Sequence, residues 1–335
     1  MKENLIFGSY YHGIYMLHFD TDTMYLSNPV ILADVALATY FDISETGNIY
    51  TAMAEKSKGG VGSYNLEKNR LTVLEKHLSF SPAPVHINIQ GELLLASNYN
   101  GGSLNIFKFS SKNRFELTDI FINNGVGTRP QQNTSHIHYS GLLPDNRLIV
   151  LDLGTDEAII FDISATGKLL NLVNVYKFPN GFGPRHLCIA NDNCHIFVLG
   201  ELSSEVAVLR YAKGSLILEQ LVSTVPGNYL EYNGGGAIIL SADKKFLYVS
   251  NRGHDSLSVF EIIDTSGNLT LDLVQNISSF GEFPRDIAID RANKYLFSAN
   301  QKSSSISIFE IINGRLKYVT TKDNVDMPVC IKFIS

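Results

Sequence analysis

The sequence contains no tryptophan, only 3 cysteines and no excess of basic residues. The cysteines, Cys188, Cys194 and Cys330, show no CxxC spacing, so they favour unpaired thiols in a reducing compartment over a disulfide framework or a zinc site. The formal net charge of −6 argues against nucleic acid as a partner, because a phosphate-binding surface normally shows as a basic excess. A local cluster of arginines is still compatible with this average.

Long hydrophobic runs are missing as well. No stretch reaches the roughly 18 apolar residues that a membrane span needs, and residues 1–10 form a strand-like run without the apolar core of a signal peptide. We therefore expect a cytoplasmic protein with no membrane partner. GxSxG, Walker, Rossmann and HExxH motifs are also absent, so a serine or cysteine nucleophile has no local support.

The residues that are abundant favour β-structure. The chain has 44% hydrophobic residues and 26 glycines in 335 positions, and it shows no long helical period. This composition is sufficient for a large buried core, and strand-forming runs alternate with turn residues. We predict a single all-β domain over residues 1–335.

A repeat of about 45–50 residues, the period of a propeller or solenoid, is the strongest signal in the sequence. The three short runs at 283–289, 294–300 and 305–311 recur at 235–239, 245–251 and 256–262. Earlier copies are found at 183–211, 132–163 and 81–109, with a weaker one at 33–66. A fourth run follows each copy, and four short antiparallel strands form a propeller blade.

The two ends of the chain supply one further copy. Residues 327–333 match the start of a repeat, and residues 5–10 and 13–17 match its second and third strands. A blade built from both termini would close the ring and remove open sheet edges. We therefore predict a seven-bladed β-propeller. An array of two-sheet sandwiches is the alternative, which the regular period disfavours.

Charged residues recur at one level of the first strands, which line the channel of a propeller. Counting back seven positions from each following turn gives His138, Arg185, Gly236 and Arg285, and His86 occupies a similar place. Burying several cations is costly unless they are paired or functional. We favour a functional ring; side chains that only pair with channel carboxylates and hold blades together are the alternative.

The ends of the second strands give a second level, occupied by Asn98, Glu201, Asn251 and Asn300. Glu201 replaces the Asn of its sister repeats, and a carboxylate near arginines can act as an acid or base. A salt bridge from Glu201 to Arg185 or Arg252 is the structural alternative.

Two further pairs of titratable residues lie at or beside the first-strand level. His136 and His138 lie two apart on one strand, but no acidic residue has ligand spacing to them, so we predict no metal. His186 and Asp286 each follow an inward arginine, so strand alternation predicts that they face away from the channel and make structural hydrogen bonds.

The segment Asn251-Arg252-Gly253-His254-Asp255-Ser256 resembles the lactonase family of seven-bladed propellers. The segments at 183–187, 201–204, 283–286 and 299–301 share this similarity, which covers nearly the whole chain. The family includes propeller-type 6-phosphogluconolactonases and is related to carboxymuconate lactonizing enzymes. The resemblance implies a site without metal or cofactor that uses His138, Arg185, Glu201 and Arg252. Further substrate-binding candidates are Arg285, His136, His86 and Asn251. Unlike many relatives, the chain has glycines at Gly200 and at 234–236.

The function implied by this resemblance is hydrolysis of a sugar lactone, with 6-phosphogluconolactone of the pentose phosphate pathway as the expected substrate. Either His138 or Glu201 would be the general base. Arg185 would face the oxyanion, while Arg252 and Arg285 would hold the phosphate. A muconate-type lactonizing cycloisomerase and a non-enzymatic binding propeller are the alternatives. The absence of tryptophan and the charge inside the channel disfavour the binding propeller.

Overall fold

The structure, a computed structural model, describes residues 2–80, 82–110 and 114–334, so Ser81, where one predicted repeat begins, lies outside it. The described residues form seven antiparallel sheets. The 3-10 turn Pro130–Gln132 is the one helical element among them, and no described helix is long and apolar enough to cross a membrane. The first strands of successive sheets pack side by side around a channel. The predicted seven-bladed β-propeller is therefore confirmed.

The strands of each blade follow one another along the chain, with the first strand innermost. Blade 2 contains β5 Phe41–Ile43, β6 Ile49–Glu55, β7 Lys58–Glu67 and β8 Arg70–Phe80. Blade 3 contains β9 His86–Gln90, β10 Leu93–Asn98, β11 Ser103–Phe109 and β12 Phe115–Ile122. Blade 4 contains β13 Ile137–Leu142, β14 Leu148–Asp152, β15 Glu157–Ile163 and β16 Leu169–Lys177.

The same order continues to the end of the chain. Blade 5 contains β17 Pro184–Ile189, β18 His195–Gly200, β19 Glu205–Ala212 and β20 Ser215–Ser223. Blade 6 contains β21 Gly234–Leu240, β22 Phe246–Arg252, β23 Ser256–Thr265 and β24 Asn268–Ser278. Blade 7 contains β25 Pro284–Ile289, β26 Tyr295–Asn300, β27 Ser305–Ile312 and β28 Arg315–Asp323.

Blade 1 is built from both termini, as predicted. The C-terminal strand β29 Pro328–Ile334 pairs with β1 Lys2–Ser9, which pairs with β2 Ile14–Asp20. Two short strands, β3 Tyr25–Leu26 and β4 Val30–Ala33, share the outer position beside β2. The N-terminal and C-terminal strands are thus hydrogen-bonded in one sheet, which closes the ring.

The apolar core lies between the blades. One cluster joins Leu5 and Phe7 of blade 1 to Phe297 and Ile308 of blade 7, all fully buried. Similar clusters fill the other spaces between neighbouring blades. Because each sheet buries both faces against its neighbours, the middle strands are nearly continuous apolar runs, and a blade depends on the ring for its stability.

A β-bulge interrupts the first strand in several blades at the same level. The pairing with the second strand skips His138 in blade 4, Arg185 in blade 5 and Arg285 in blade 7. It also skips Val329 in blade 1, and it is irregular around Gly236 in blade 6. A bulge leaves one residue out of the ladder and redirects its side chain. The level identified by the sequence repeat is therefore a ring of bulges.

Candidate active site

Glu201 lies at the centre of the polar cluster, directly after β18. Its N–H donates to the Gly183 carbonyl at 2.8 Å, and its own carbonyl accepts from Gly235 N at 3.0 Å. The backbone of Glu201 is thereby fixed between blades 5 and 6. Its Oε2 atom accepts from Arg185 Nε at 2.8 Å and from Arg252 Nη2 at 2.8 Å. Glu201 therefore pairs with both arginines rather than with one of them.

The two arginines are buried and anchored to blade 6. Arg185 is 4% exposed and Arg252 is 5% exposed. Arg185 Nη1 donates to the Gly236 carbonyl, and Arg252 Nη2 donates to the Gly235 carbonyl at 2.6 Å. Two buried guanidinium groups thus share one carboxylate, which leaves an excess of positive charge in a site of low dielectric.

The carboxyl group of Glu201 is ionised at neutral pH. Burial by itself would raise its pKa, but the guanidinium groups of Arg252, Arg185 and Arg285 outweigh burial, so the pKa lies below its usual value. A carboxylate that is held by two cations is a weak base, because protonation would have to break those ion pairs.

His138 stands next to this carboxylate and is likewise deprotonated, but it carries no charge. Its Nε2 lies 3.9 Å from Glu201 Oε2, and the side chain is 7% exposed. Burial, followed by the charge of Arg185, lowers its pKa well below the usual value, so the imidazole is neutral at neutral pH. Among the described residues, its Nδ1 has no hydrogen-bond partner.

Arg285 is the accessible cation of the cluster. It is partly exposed, it makes one long hydrogen bond of 3.4 Å to Gln301 Oε1, and its guanidinium lies 5.8 Å from the centre of the Tyr10 ring. It forms no ion pair with any carboxylate in the described part of the chain. An arginine of this kind can still bind a substrate anion in a bidentate manner.

His186 was predicted to face away from the channel, and this prediction is wrong. Its Nδ1 lies 3.0 Å from Arg185 Nη1, and its ring centre lies 5.1 Å from that of His138 and 5.1 Å from that of His86. The bulge at Arg185 is the physical reason, because consecutive residues of a bulge do not alternate between the two faces of a sheet. Asp286 does bridge blades as expected, since its Oδ2 accepts from Ile331 N at 2.9 Å.

Aromatic rings pack against one another on one side of the cluster. The His86 ring packs on Tyr40 at 4.4 Å and on Tyr139 at 4.7 Å, and burial lowers the pKa of His86 well below its usual value. Beyond Tyr40 lies an ion pair between Lys332 and Asp42, with Nζ 2.6 Å from Oδ1. The Glu201 cluster is thus separated from this ion pair by a layer of rings.

Two other predicted residues make mainly structural contacts. His136 stacks on Tyr99 with ring centres 4.0 Å apart and bonds the Tyr99 carbonyl at 2.9 Å. The fully buried Asn251 donates to the Thr224 carbonyl at 3.0 Å and to Ser258 Oγ at 3.0 Å. The structure therefore assembles His138, Arg185, Glu201 and Arg252, with Arg285 nearby. It also shows no group of three potential metal ligands among the described residues.

Gly236 occupies the blade 6 position of the bulge ring for a steric reason. A Cβ atom there would lie 2.4 Å from Ser250 Oγ and 2.6 Å from the Pro284 carbonyl oxygen of blade 7. Blades 6 and 7 can therefore approach this closely only with glycine at the position, and the Gly236 carbonyl remains available to Arg185.

A cleft of about 390 Å³ opens beside Glu201. One wall is the connection between blades 5 and 6, residues 224–233, which we call the 224–233 segment. It contributes Tyr229, Leu230 and Tyr232 to the cleft. No sequence signal indicated these residues, because the repeat concerns strands and a connection between blades lies outside it.

The fold and the cluster define a seven-bladed β-propeller with an ion-paired polar site in its channel. Residues 4–333 match the family described as "Lactonase, 7-bladed beta-propeller". The chain belongs to this lactonase family, as its resemblance indicated.

Individual relatives support this assignment. The chain is 31% identical over 333 residues to the 6-phosphogluconolactonase of Bacillus subtilis (strain 168), with 96% of this chain and 94% of that protein covered. The crystal structure of a protein from Lactobacillus plantarum matches at a TM-score of 0.95 and 34% identity, with 100% of both chains covered. The periplasmic gluconolactonase of Pseudomonas aeruginosa matches at a TM-score of 0.91, with 100% of this chain and 99% of that chain covered. At 24% identity this similarity shows the fold alone.

Proposed function

We propose that this protein is a lactonase that hydrolyses a phosphorylated sugar lactone, with 6-phosphogluconolactone as the substrate. The observation that carries this proposal is the pairing of a neutral His138 with an ionised Glu201, at 3.9 Å, inside a cluster of three arginines. The 31% identity to a 6-phosphogluconolactonase supports the choice of substrate.

His138 is the better candidate for the general base. Its neutral imidazole can accept a proton from water, whereas Glu201 is held by two arginines. The water oxygen attacks the lactone carbonyl carbon while His138 takes the proton, and Glu201 stabilises the imidazolium that forms. The tetrahedral intermediate then breaks the bond to the ring oxygen, which receives the proton from His138. The product is the open hydroxy acid.

The arginines match the charge of such a reaction. Negative charge develops on the carbonyl oxygen in the transition state, and preorganised guanidinium groups in a buried site stabilise it without reorganisation. Arg185 and Arg252 supply this positive charge beside Glu201. Arg252, which the sequence assigned to the phosphate, takes this role instead because it is buried and paired with Glu201. We assign the phosphate contact to Arg285, because it is partly exposed and has no carboxylate partner among the described residues.

The test is hydrolysis of freshly prepared 6-phosphoglucono-1,5-lactone by the purified protein, measured against spontaneous opening. We expect turnover well above background that excess chelator leaves unchanged. His138→Ala should lose it, whereas His12→Ala, an exposed histidine, should retain it. If the wild type does not exceed background, this substrate is wrong. If His138→Ala is fully active, the assignment of the base is wrong.

A further inference from the structure

The hydroxyl group of Tyr232 occupies space that a side chain at Gly234 would otherwise fill. A Cβ atom at Gly234 would lie 3.0 Å from Tyr232 Oη, 3.4 Å from Arg252 Nη2 and 3.6 Å from the Glu201 carbonyl oxygen. The phenol of a residue in the 224–233 segment therefore reaches the edge of the ion-paired cluster. Because residues 234–236 are all glycines, blade 6 itself has no polar side chain at this position.

Tyr232 is held there by its own segment. Its carbonyl accepts a 3.0 Å hydrogen bond from Tyr229 Oη. The Tyr229 ring in turn packs edge-on against His254, with ring centres 4.4 Å apart. The next residue, Asn233, donates to Ser204 Oγ at 2.9 Å and to Asn251 Oδ1 at 3.3 Å. The segment is thus fixed to blades 5 and 6 on both sides of Tyr232.

Yet Tyr232 itself stays open to solvent. Its side chain is 61% exposed and lines the cleft beside Glu201, and its hydroxyl makes no hydrogen bond to any described residue. An exposed aromatic ring with a free hydroxyl at the edge of a cleft offers an apolar face and a polar tip to a ligand. Nearby, Arg252 Nε is buried without a partner in the described part of the chain.

We infer that Tyr232 is a specificity-determining residue, which binds a hydroxyl group of the sugar lactone through its own hydroxyl in the space left by Gly234. The inference rests on the proposed function, and it adds a recognition element for the polyhydroxylated ring, apart from the phosphate. The tyrosine from the connection thereby replaces the side chain that is missing from the strand of blade 6.

The first test is Tyr232→Phe, which removes the hydroxyl and keeps the ring. We expect KM for 6-phosphoglucono-1,5-lactone to rise about tenfold, as for the loss of one hydrogen bond, while kcat changes less than about twofold. Binding of 6-phosphogluconate, the stable product, should weaken by a similar factor in calorimetry. Tyr25→Phe, at 58% exposure in blade 1, is the matched control and should change neither constant.

A double-mutant cycle tests the contact with Gly234. In Gly234→Ala the new methyl group meets the tyrosine hydroxyl at 3.0 Å, so we expect KM to rise here as well. In Gly234→Ala combined with Tyr232→Phe that hydroxyl is gone, and KM should equal that of Tyr232→Phe alone, since coupled neighbours are not additive. A tyrosine with a merely structural role would not produce this pattern.

The outcomes separate the inference from the proposed function. Absence of both turnover and product binding in the wild type would refute the proposed function, and the inference with it. An active wild type whose KM and product affinity are unchanged by Tyr232→Phe would overturn the inference alone. A fall in kcat with unchanged KM would also overturn it.

Discussion

Arg185 Nε donates a 2.8 Å hydrogen bond to Glu201 Oε2, which ties the bulge of the first strand of blade 5 to the residue that follows its second strand. Both side chains are largely buried, at 5% and 18% exposure. Since Arg252 binds the same oxygen atom, Glu201 neutralises part of two buried charges at once. Through this sharing Glu201 should support the stability of the site and, in the proposed mechanism, its chemistry as well.

Replacing Glu201 with Gln should therefore impair both properties. The variant leaves two buried guanidinium groups without their carboxylate, so we expect the free energy of unfolding to fall by about 3 kcal/mol. We expect kcat to fall by roughly 100-fold, since the His138 imidazolium loses its partner. Urea denaturation and steady-state kinetics measure the two effects. Glu205→Gln in the same blade is the control, and equal effects of both variants would contradict the assigned function of Glu201.

Arg285→Ala should act mainly on substrate binding. Loss of a charge-assisted contact to phosphate should raise KM for the phosphorylated lactone by roughly 10- to 100-fold, with kcat nearly retained. Glucono-1,5-lactone, which carries no phosphate, should show little change. Arg291→Ala, at an exposed arginine, is the matched control. Loss of turnover at saturating substrate would show that Arg285 acts in catalysis instead.

The pH dependence of kcat/KM should follow the lowered pKa of His138. Burial and Arg185 lower this pKa well below the usual value, and in the proposed mechanism the neutral imidazole is the active form. The base therefore stays active as pH falls through 6.5, the ordinary value for histidine, and activity is lost only at lower pH. A kcat/KM profile between pH 8 and 5 measures this. A decline centred near pH 6.5 would contradict the prediction.

Asp286 should make stability depend on pH in the opposite sense to an ordinary carboxyl. Burial raises its pKa from 3.8 to about 6, so the folded state favours the protonated form. The contribution of Asp286 to the free energy of unfolding is fully present below pH 4 and is lost as pH rises through 6. Because Asp286 is partly exposed, we expect a loss of roughly 2 kcal/mol. Urea denaturation at several pH values should show this loss in the wild type relative to Asp286→Asn, and parallel curves would refute it.

Gly236→Ala should destabilise the contact between blades 6 and 7. The added methyl would lie 2.6 Å from the Pro284 carbonyl oxygen, and such overpacking typically costs about 1–3 kcal/mol. The shift should also displace the carbonyl that binds Arg185 and so reduce kcat. Gly227→Ala provides the control, because its Cβ would meet no atom within 4 Å. The midpoint of thermal unfolding should be lower for Gly236→Ala than for Gly227→Ala. Equal midpoints would contradict the steric argument.

The architecture was predictable because it repeats. Strand-forming runs recur in every blade, and the complementary ends at 5–10 and 327–333 indicate the closed ring that the pairing of β1 with β29 confirms. The three free cysteines also agree with the prediction of unpaired thiols. Repetition allowed equivalent positions to be aligned, and a departure from the repeat, such as Glu201 in place of Asn, identified a candidate site residue.

The failures arise where a local rule was applied to an irregular backbone. Strand alternation placed His186 on the far face, but the bulge at Arg185 turns both side chains toward the channel. The assignment of Asn251 to substrate binding, by contrast, stays a prediction. In the structure its side chain donates hydrogen bonds to Thr224 and Ser258, which the order of residues along the strand did not indicate.

By itself, the sequence determined the strand pattern, the number of blades, the closure by both termini and the ring of His138, Arg185 and Arg285. These follow from local periodicity and repetition, which are properties of the chain. Only the tertiary structure decided that Glu201 binds two arginines, that His186 enters the channel and that Tyr232 reaches the space beside Gly234. These depend on bulges and on contacts between blades, where residues distant in sequence meet and no local period specifies the geometry.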